Sequence, residues 1–413
     1  MRKAYRFRIY PSKEQRRILE RTLQTCRILY NNLLAERRDS YRKTGRSPGY
    51  YEQQQSLVLR KLSNSYMRQV HSQVLQDVTL RLQRGFENYF KRTRKGWKAG
   101  YPRFKGWNRY NSFTYPQYGN GVVLKDERLV LSKIGSVRIF QHRSLPTNAI
   151  IKTCIIRRDV DKWYASLTLI IESNKPQDCE GRSQVGVDLG LSSLVTLSNG
   201  EKIEPLAFLR KSEKKLKREQ RRLSRKKKGS QNRHRQVIKL ARIHRKIRLQ
   251  RSDYNHKLSR VLIDRFDVIG FENLRIPNMM KSHRLAKSIA DAGWGQLRIF
   301  TSYKAEEAGK RVETVDSYGT TRDCSRCGFH VPKALSVRVH ECRNCGLILD
   351  RDWNAARNVL NRVGWGTAES TPAEIKPLLQ QPVVGASRIK EPGSPRTLTV
   401  GGCHNWMNRG QLG

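Results

Sequence analysis

No stretch of about 18 apolar residues occurs in the 413-residue chain, so the sequence offers no membrane-spanning helix and no membrane partner is expected. The opening residues 1–15, MRKAYRFRIYPSKEQ, alternate apolar and charged side chains and lack the apolar core of a secretory signal. A cytoplasmic protein is expected. Acidic residues are scarce: 35 Asp+Glu stand against 83 Lys+Arg, a net charge of +48. Such an imbalance opposes compaction by self-repulsion unless a polyanion neutralises it, and nucleic acid is the polyanion that fits. Hydrophobic residues make up 37%, low for a globular chain but above the disordered range. A core can therefore form, and the length suggests two to four domains. Cysteines number eight. Cys26, Cys154, Cys179 and Cys403 are scattered and read as ordinary thiols. The others form two CxxC pairs, which in a reducing cytosol read as metal ligands rather than disulfides.

Along the chain, the alternation at 2–10 reads as a strand, stopped by Pro11. Ser12 and Gln15 make a capping box for a helix whose apolar face carries Ile18, Leu19, Leu23, Cys26, Leu29, Tyr30, Leu33 and Leu34. A second long helix is expected over 65–92, with Val74, Val78, Leu82, Phe86 and Tyr89 on one side. Residues 12–95 thus read as a small helical bundle, with Tyr30, Phe86 and Tyr89 as core side chains rather than base-stacking platforms. The segment GWKAGYPRFKGWNRYNSFTYP interleaves aromatics, glycines and cations in a loop suited to a nucleic-acid contact. Short alternating runs follow to about 171, with a turn at Val160-Asp161. With the first strand they suggest a small β-barrel, the bundle being an insertion after that strand. Residues 184–200 read as strand, turn and strand, with Ser198-Asn199-Gly200 as a further turn. Residues 210–251 hold 20 Lys or Arg and two acids. Leu209, Leu216 and Leu223 at heptad spacing and a break at Gly229-Ser230-Gln231-Asn232 predict two antiparallel basic helices, about 205–260, that contact nucleic acid. Residues 267–276 read as a buried strand, 282–308 as a helix with Leu285, Ile289, Leu297, Phe300 and Tyr303 inward, and the segment at Val312 as a strand. Residues 350–360 start a helix, and 367–413 read as a disordered tail.

Asp188 sits between Val187 and Leu189, and Glu272 between Phe271 and Asn273. A carboxylate in an apolar strand is costly unless paired or metal-bound. With Asp352 on a helix, three carboxylates from separate elements can hold a divalent pair that activates water and stabilises a leaving oxygen in phosphodiester hydrolysis. Mg²⁺ suits such oxygen ligands, and Mn²⁺ is not distinguished from it. On these residues alone a strand-end salt bridge is an equally open reading. Cys324, Cys327, Cys342 and Cys345 form CxxC-x14-CxxC, with Gly328 and Gly346 after each pair. Four thiolates give a closed tetrahedral structural Zn²⁺ site, with His330 and His340 as alternative ligands within the loop.

The blocks GVDLGLSSLVTLSNG, GFENLRI and CSRCG…CRNCG…LDRDWNAARNVL resemble those of the TnpB (OrfB) family of insertion-sequence proteins, related to type V CRISPR nucleases. The opening KAYRFRIYPSKEQ, the YPRFKG loop and the segment SIADAGWGQLRIFTSYKAEEAGKRVETVDSYGTT match too, so the resemblance covers about residues 1–360, in order. It implies a multidomain α/β architecture. An RNase H-like (RuvC) nuclease domain, 181–319 and 349–366, carries an inserted zinc ribbon, 320–348. An N-terminal β-barrel, 1–11 and 96–180, carries the helical bundle 12–95. The resemblance further implies an RNA-guided DNA endonuclease with Asp188, Glu272 and Asp352 as catalytic metal ligands; Asp352 fits the family's DxNAA pattern, leaving Asp350 as a helix cap. The implied partners are a guide RNA from the element's end and a double-stranded DNA target beside a short flanking motif, with one monomer per RNA favoured. A rival reading is a DNA-binding transposase or accessory protein without guided cleavage.

Overall fold

The computed structural model describes residues 1–172, 183–334 and 336–363. The expected disordered tail, Cys179 and Cys403 lie outside the described residues. Strand β1 (Arg2–Tyr10) turns Tyr5, Phe7 and Ile9 inward and exposes Arg2 and Arg6 on its other face. Helix α1 (Lys13–Thr44) follows. Ser12 and Gln15 cap it reciprocally, and Gly45, at φ +69°, ends it in the left-handed conformation that glycine adopts without steric cost. Next come α2 (Tyr50–Ser63), α3 (Ser65–Arg68) and α4 (Ser72–Arg94). The single helix expected over 65–92 is therefore broken. Asn64 ends α2 and caps the N-terminus of the one-turn α3, and buried Val70 and extended His71 turn the chain before α4. Tyr30 and Phe86 are buried in this core; Tyr89 instead meets Tyr101 edge to face.

Strands β2 (Ser112–Tyr115), β3 (Val122–Lys125), β4 (Arg128–Leu131), β5 (Gly135–Phe140), β6 (Ile150–Asp159) and β7 (Lys162–Ile170) join β1 in one antiparallel sheet, ordered β2-β6-β7-β1-β5-β4-β3. No pairing closes β2 on β3 among the described residues. The two ends nevertheless share one core with α1 and α4, and the Tyr115 hydroxyl in β2 donates to the Ser132 carbonyl beyond β4 at 3.2 Å.

The rest of the chain builds a second sheet from β8 (Gln184–Asp188), β9 (Val195–Leu197), β10 (Lys202–Ile203), β11 (Val268–Glu272) and β12 (Arg311–Val315), ordered β10-β9-β8-β11-β12. The β8, β11 and β12 strands are parallel; β9 alone is reversed, paired antiparallel with β8 on one side and β10 on the other. Between β10 and β11 lie α5 (Phe208–Ser224) and α6 (Gln231–Arg265), packed antiparallel around Leu216 and a buried Glu219 that accepts from Gln236 at 2.7 Å. Between β11 and β12 are α7 (Ile276–Met279), α8 (Ala286–Ala292) and α9 (Trp294–Ala308). The one helix expected over 282–308 breaks at Gly293, which sits at φ +68°. The Trp294 indole just beyond donates to the Gly190 carbonyl at 3.2 Å. Leu285 is exposed, whereas Ile289 and Leu297 are buried. Finally β13 (Val339–Glu341) pairs with β14 (Ile348–Asp350), and α10 (Arg351–Arg362) follows directly.

The two sheets meet through charge. Asp159 and Asp161 flank the β6–β7 turn, where Val160 takes φ +63°. Arg248 reaches Asp159 at 2.5 Å, and Arg242 and Arg245 reach Asp161 at 2.9 and 2.7 Å. Middle turns of α6 thus pack on the N-terminal sheet, while Tyr254, Leu258 and Leu262 pack on the second core. No helix among the described residues is long and apolar enough to cross a membrane.

Candidate active site and metal centre

Side chains alternate along β8 and β11. Val185 and Val187, with Ile269 and Phe271, enter the core beneath α6 and α9. Gly186 and Asp188, with Gly270 and Glu272, project from the opposite face. Gly186 and Gly270 are register partners, and α10 lies directly across them. A Cβ on Gly186 would come within 2.1 Å of the Ala356 carbonyl oxygen; one on Gly270 would come within 2.7 Å of Val363. Two absent side chains therefore set the distance of closest approach. They bring the N-terminal turn of α10, with Asp352, over the ends of the strands that carry Asp188 and Glu272. All three carboxylates are buried, each no more than 7% exposed.

Burial, followed by the charges of Glu272 and Asp352, holds the Asp188 carboxyl well above the usual carboxylate range. Burial pushes Glu272 up to about 7, against the Thr320 hydroxyl that donates to its Oε1 at 2.6 Å. Asp352 Oδ1 accepts from the Arg351 guanidinium at 3.0 and 2.8 Å, and Arg338 lies 3.7 Å from Oδ2. Asp350 is the helix cap: its Oδ1 accepts from the backbone of Asp352 and Trp353 at 3.0 and 3.1 Å, and its other oxygen meets Lys202. A buried acidic cluster of this kind is costly unless cations accompany it, and an all-carboxylate donor set fits a hard divalent ion.

The sulfur cluster is tighter. Among the described residues, Cys324, Cys327, Cys342 and Cys345 are the one group of candidate ligands whose metal-facing atoms all lie within 4.8 Å of one another. Cys324 and Cys345, and Cys327 and Cys342, are 3.6 Å apart, near the roughly 3.8 Å edge of a tetrahedron with Zn–S bonds of about 2.3 Å. The two knuckles are alike. Gly328 donates to the Cys324 carbonyl at 2.9 Å and Gly346 to that of Cys342 at 2.8 Å, each glycine with φ above +70°. That backbone geometry explains the glycine after each CxxC. His330 instead bonds Asp323 at 2.8 Å and His340 meets Lys333; neither belongs to the cluster.

A family model described as "Probable transposase" (OrfB_IS605) matches residues 168–283. One described as "Cas12f1-like, TNB domain" matches 294–359, and one described as "Helix-turn-helix domain" matches 1–46. A Streptomyces pristinaespiralis protein named "Putative RNA-guided DNA endonuclease" is 33% identical over 97% of this chain and 98% of its own length. Escherichia coli (strain K12) InsQ, which carries the same designation, is 32% identical over 86% of this chain and 91% of its own. The chain belongs to the TnpB (OrfB) family. In fold, this TnpB chain is similar to the protein in a Cas12f1–sgRNA–target DNA complex, at TM-score 0.52, 14% identity, 87% of this chain and 99% of that one. Residues 1–46, despite the helix-turn-helix match, form one strand and one continuous helix.

Several residues that build the TnpB site escape a linear reading. Asn354, Asn358 and Asn361 form a stripe along α10. Asn354 accepts from the Ser325 amide at 2.9 Å and donates to the Asp323 carbonyl at 2.8 Å; Asn358 donates to Thr320 and Asp323, and Asn361 to Ser325. The helix bearing Asp352 is therefore bonded to the backbone leading into the first knuckle. The one readable signal is the spacing i, i+4, i+7 of the asparagines, which places them on one helix face. Trp353 donates to the Ser198 carbonyl at 2.8 Å and lies against Gly200, which explains a tryptophan beside the carboxylate. Because of these bonds, Cys342→Ser is expected to lose bound zinc, expose 320–350 to protease and cost several kcal/mol of local stability. Metal analysis by mass spectrometry with limited proteolysis checks this; retained metal and unchanged digestion would contradict it.

Proposed function

We propose that the protein is a cytoplasmic, transposon-associated, RNA-guided DNA endonuclease with a RuvC-like, RNase H-like nuclease domain. The observation that carries this reading is the convergence of Asp188, Glu272 and Asp352 at one end of a mostly parallel sheet, in a chain of net charge +48 with relatives named as RNA-guided DNA endonucleases.

In this reading the three carboxylates hold Mg²⁺ or Mn²⁺, which supplies water activation and leaving-group stabilisation for phosphodiester hydrolysis. Asp188, on the central strand β8, would be one of the ligands that hold it. Thr320 orients Glu272. Arg351 and Arg338 fix Asp352 and place positive charge where a phosphate enters. The four cysteines hold a structural Zn²⁺ that fixes α10 rather than taking part in chemistry.

The domain assignment follows the same reading: a barrel-like wedge over 1–11 and 96–180, the bundle 12–95, the nuclease over 181–319 and 349–366, and the ribbon 320–348. The basic hairpin 205–260 is assigned to guide RNA, with one protein per RNA. Lys214, Lys217, Arg218, Arg221, Arg222 and Arg225 line one cleft of about 490 Å³ along α5 and its C-terminal end, where Glu213 and Glu219 pair with only Lys217, Arg218 and Arg222 of the six. Reversing Arg221, Arg225 and Lys227 to Glu is expected to weaken RNA retention at least tenfold and to flatten its salt dependence by roughly two to three ion equivalents. A salt titration of co-purified RNA checks it, and unchanged retention would remove RNA from this hairpin. The same preparation tests the whole reading. Expressed with its native downstream DNA, the protein should carry a discrete RNA ending in sequence from the element's flank. Heterogeneous, salt-labile nucleic acid would favour the transposase reading.

A further inference from the structure

A cavity of about 360 Å³ lies between the loop after Asp188 and helices α5, α6 and α8, within the size range of ligand pockets. Its apolar wall includes Leu191 and Leu194 from the loop after Asp188, Phe208 at the start of α5, and Ala292 of α8; Tyr254 of α6 meets Phe208 edge to face. Arg338 also lines it, and the same guanidinium stands 3.7 Å from Asp352. Arg338 therefore links the cavity to the Asp352 carboxylate.

Its polar groups are mostly committed. Asp291 accepts from the Leu209 amide through both oxygens, the Tyr254 hydroxyl donates to the Glu204 carbonyl at 3.2 Å, and Arg210 donates to Ser288. Asn255 is the exception. It is fully buried and its amide nitrogen reaches Gly293 and Gln296, yet its Oδ1 has no partner. A buried acceptor without a donor is costly, and this one belongs to a residue that lines the cavity. The rim adds Arg210, Arg251 and Arg338. A flat aromatic ligand that offers an N–H and is joined to phosphates meets each of these demands.

We infer that this cavity receives one nucleobase of the DNA strand being cut, turned out of its stack beside the scissile phosphate, with its N–H donating to Asn255 Oδ1. Every base carries an N–H on its pairing edge, so the pocket positions the strand without reading its sequence. Turned-out bases are commonly held this way, between apolar or aromatic side chains and one edge contact. Seating one base fixes the adjoining phosphate relative to Asp188 and Asp352. The inference rests on the nuclease reading above.

The test is an abasic scan. Guide-loaded protein is given target strands with a single tetrahydrofuran residue at successive positions around the cut. Cleavage should slow roughly tenfold at one position only. Leu191→Trp, which fills the cavity from a loop, should slow cleavage of intact DNA to that same level, with no further loss when combined with the abasic strand. Asn255→Leu should do likewise; Leu191→Trp covers the case in which that buried change prevents folding. In an Asp188→Asn complex, 2-aminopurine at the sensitive position should change fluorescence on binding, and Leu191→Trp should remove the change. Normal cleavage with uniform tolerance of abasic sites overturns the pocket and leaves the nuclease standing. No cleavage of any strand by the wild-type complex overturns the nuclease reading, and the pocket with it.

Discussion

Asp188→Asn, in the RNA-loaded protein, is expected to slow DNA cleavage roughly 10³-fold or more while leaving RNA and DNA binding intact. The side chain is buried between the charges of Glu272 and Asp352, and a carboxamide keeps its volume but not its charge. In the proposed reading the variant loses a ligand to divalent ions, which removes several kcal/mol of transition-state stabilisation, and each 1.4 kcal/mol is about tenfold in rate. The same substitution relieves like-charge repulsion, so the metal-free protein should be no less stable than the parent. Cleavage rate, RNA retention and melting temperature measured together separate this from misfolding. Near-normal cleavage by the variant would remove Asp188 from the chemistry.

Gly186→Ala is expected to be nearly as damaging, although it adds a single methyl group. That carbon would lie 2.1 Å from the Ala356 oxygen and 2.6 Å from the Leu360 nitrogen. Both are helix backbone atoms and have no rotamer to escape into. The helix α10 must move off the sheet by about an ångström, carrying Asp352 with it. We expect about 3 kcal/mol of destabilisation, the upper end for overpacking, and roughly 10²-fold slower cleavage from the displaced carboxylate, with RNA binding retained. Gly106→Ala is the control, because nothing lies within 4 Å of its added carbon. Wild-type melting and cleavage in Gly186→Ala would show that α10 is not held this closely.

These two residues, two apart on one strand, differ in how legible they are. Asp188 announces itself because a charge in an apolar strand breaks the local pattern. Gly186 does not, since a glycine in a strand has many local explanations; its role exists only once a helix 170 residues later packs on it. The same holds for Asn354 and Asn358, whose partners are backbone groups of another segment, and for Thr320, whose partner is the distant Glu272 carboxylate. The cysteine spacing was readable because metal geometry is local to each knuckle. Helix breaks at 69–71 and at Gly293 are not legible in the sequence because the apolar periodicity runs through them, and tertiary contacts decide the bend. The pairing of Asp159 and Asp161 with α6 was likewise hidden: the sequence shows a turn and a basic helix, and nothing short-range joins them.

The most direct test of the account is reprogrammed cleavage. Purified protein carrying either of two guides, identical except in the segment meant to pair with target, is incubated with one plasmid containing both matching sites and divalent metal. The account predicts that each guide directs cutting at its own site alone, and that neither cuts after Asp188→Asn. Cutting at a position that does not follow the guide, or intact plasmid with guide RNA still bound, would contradict it.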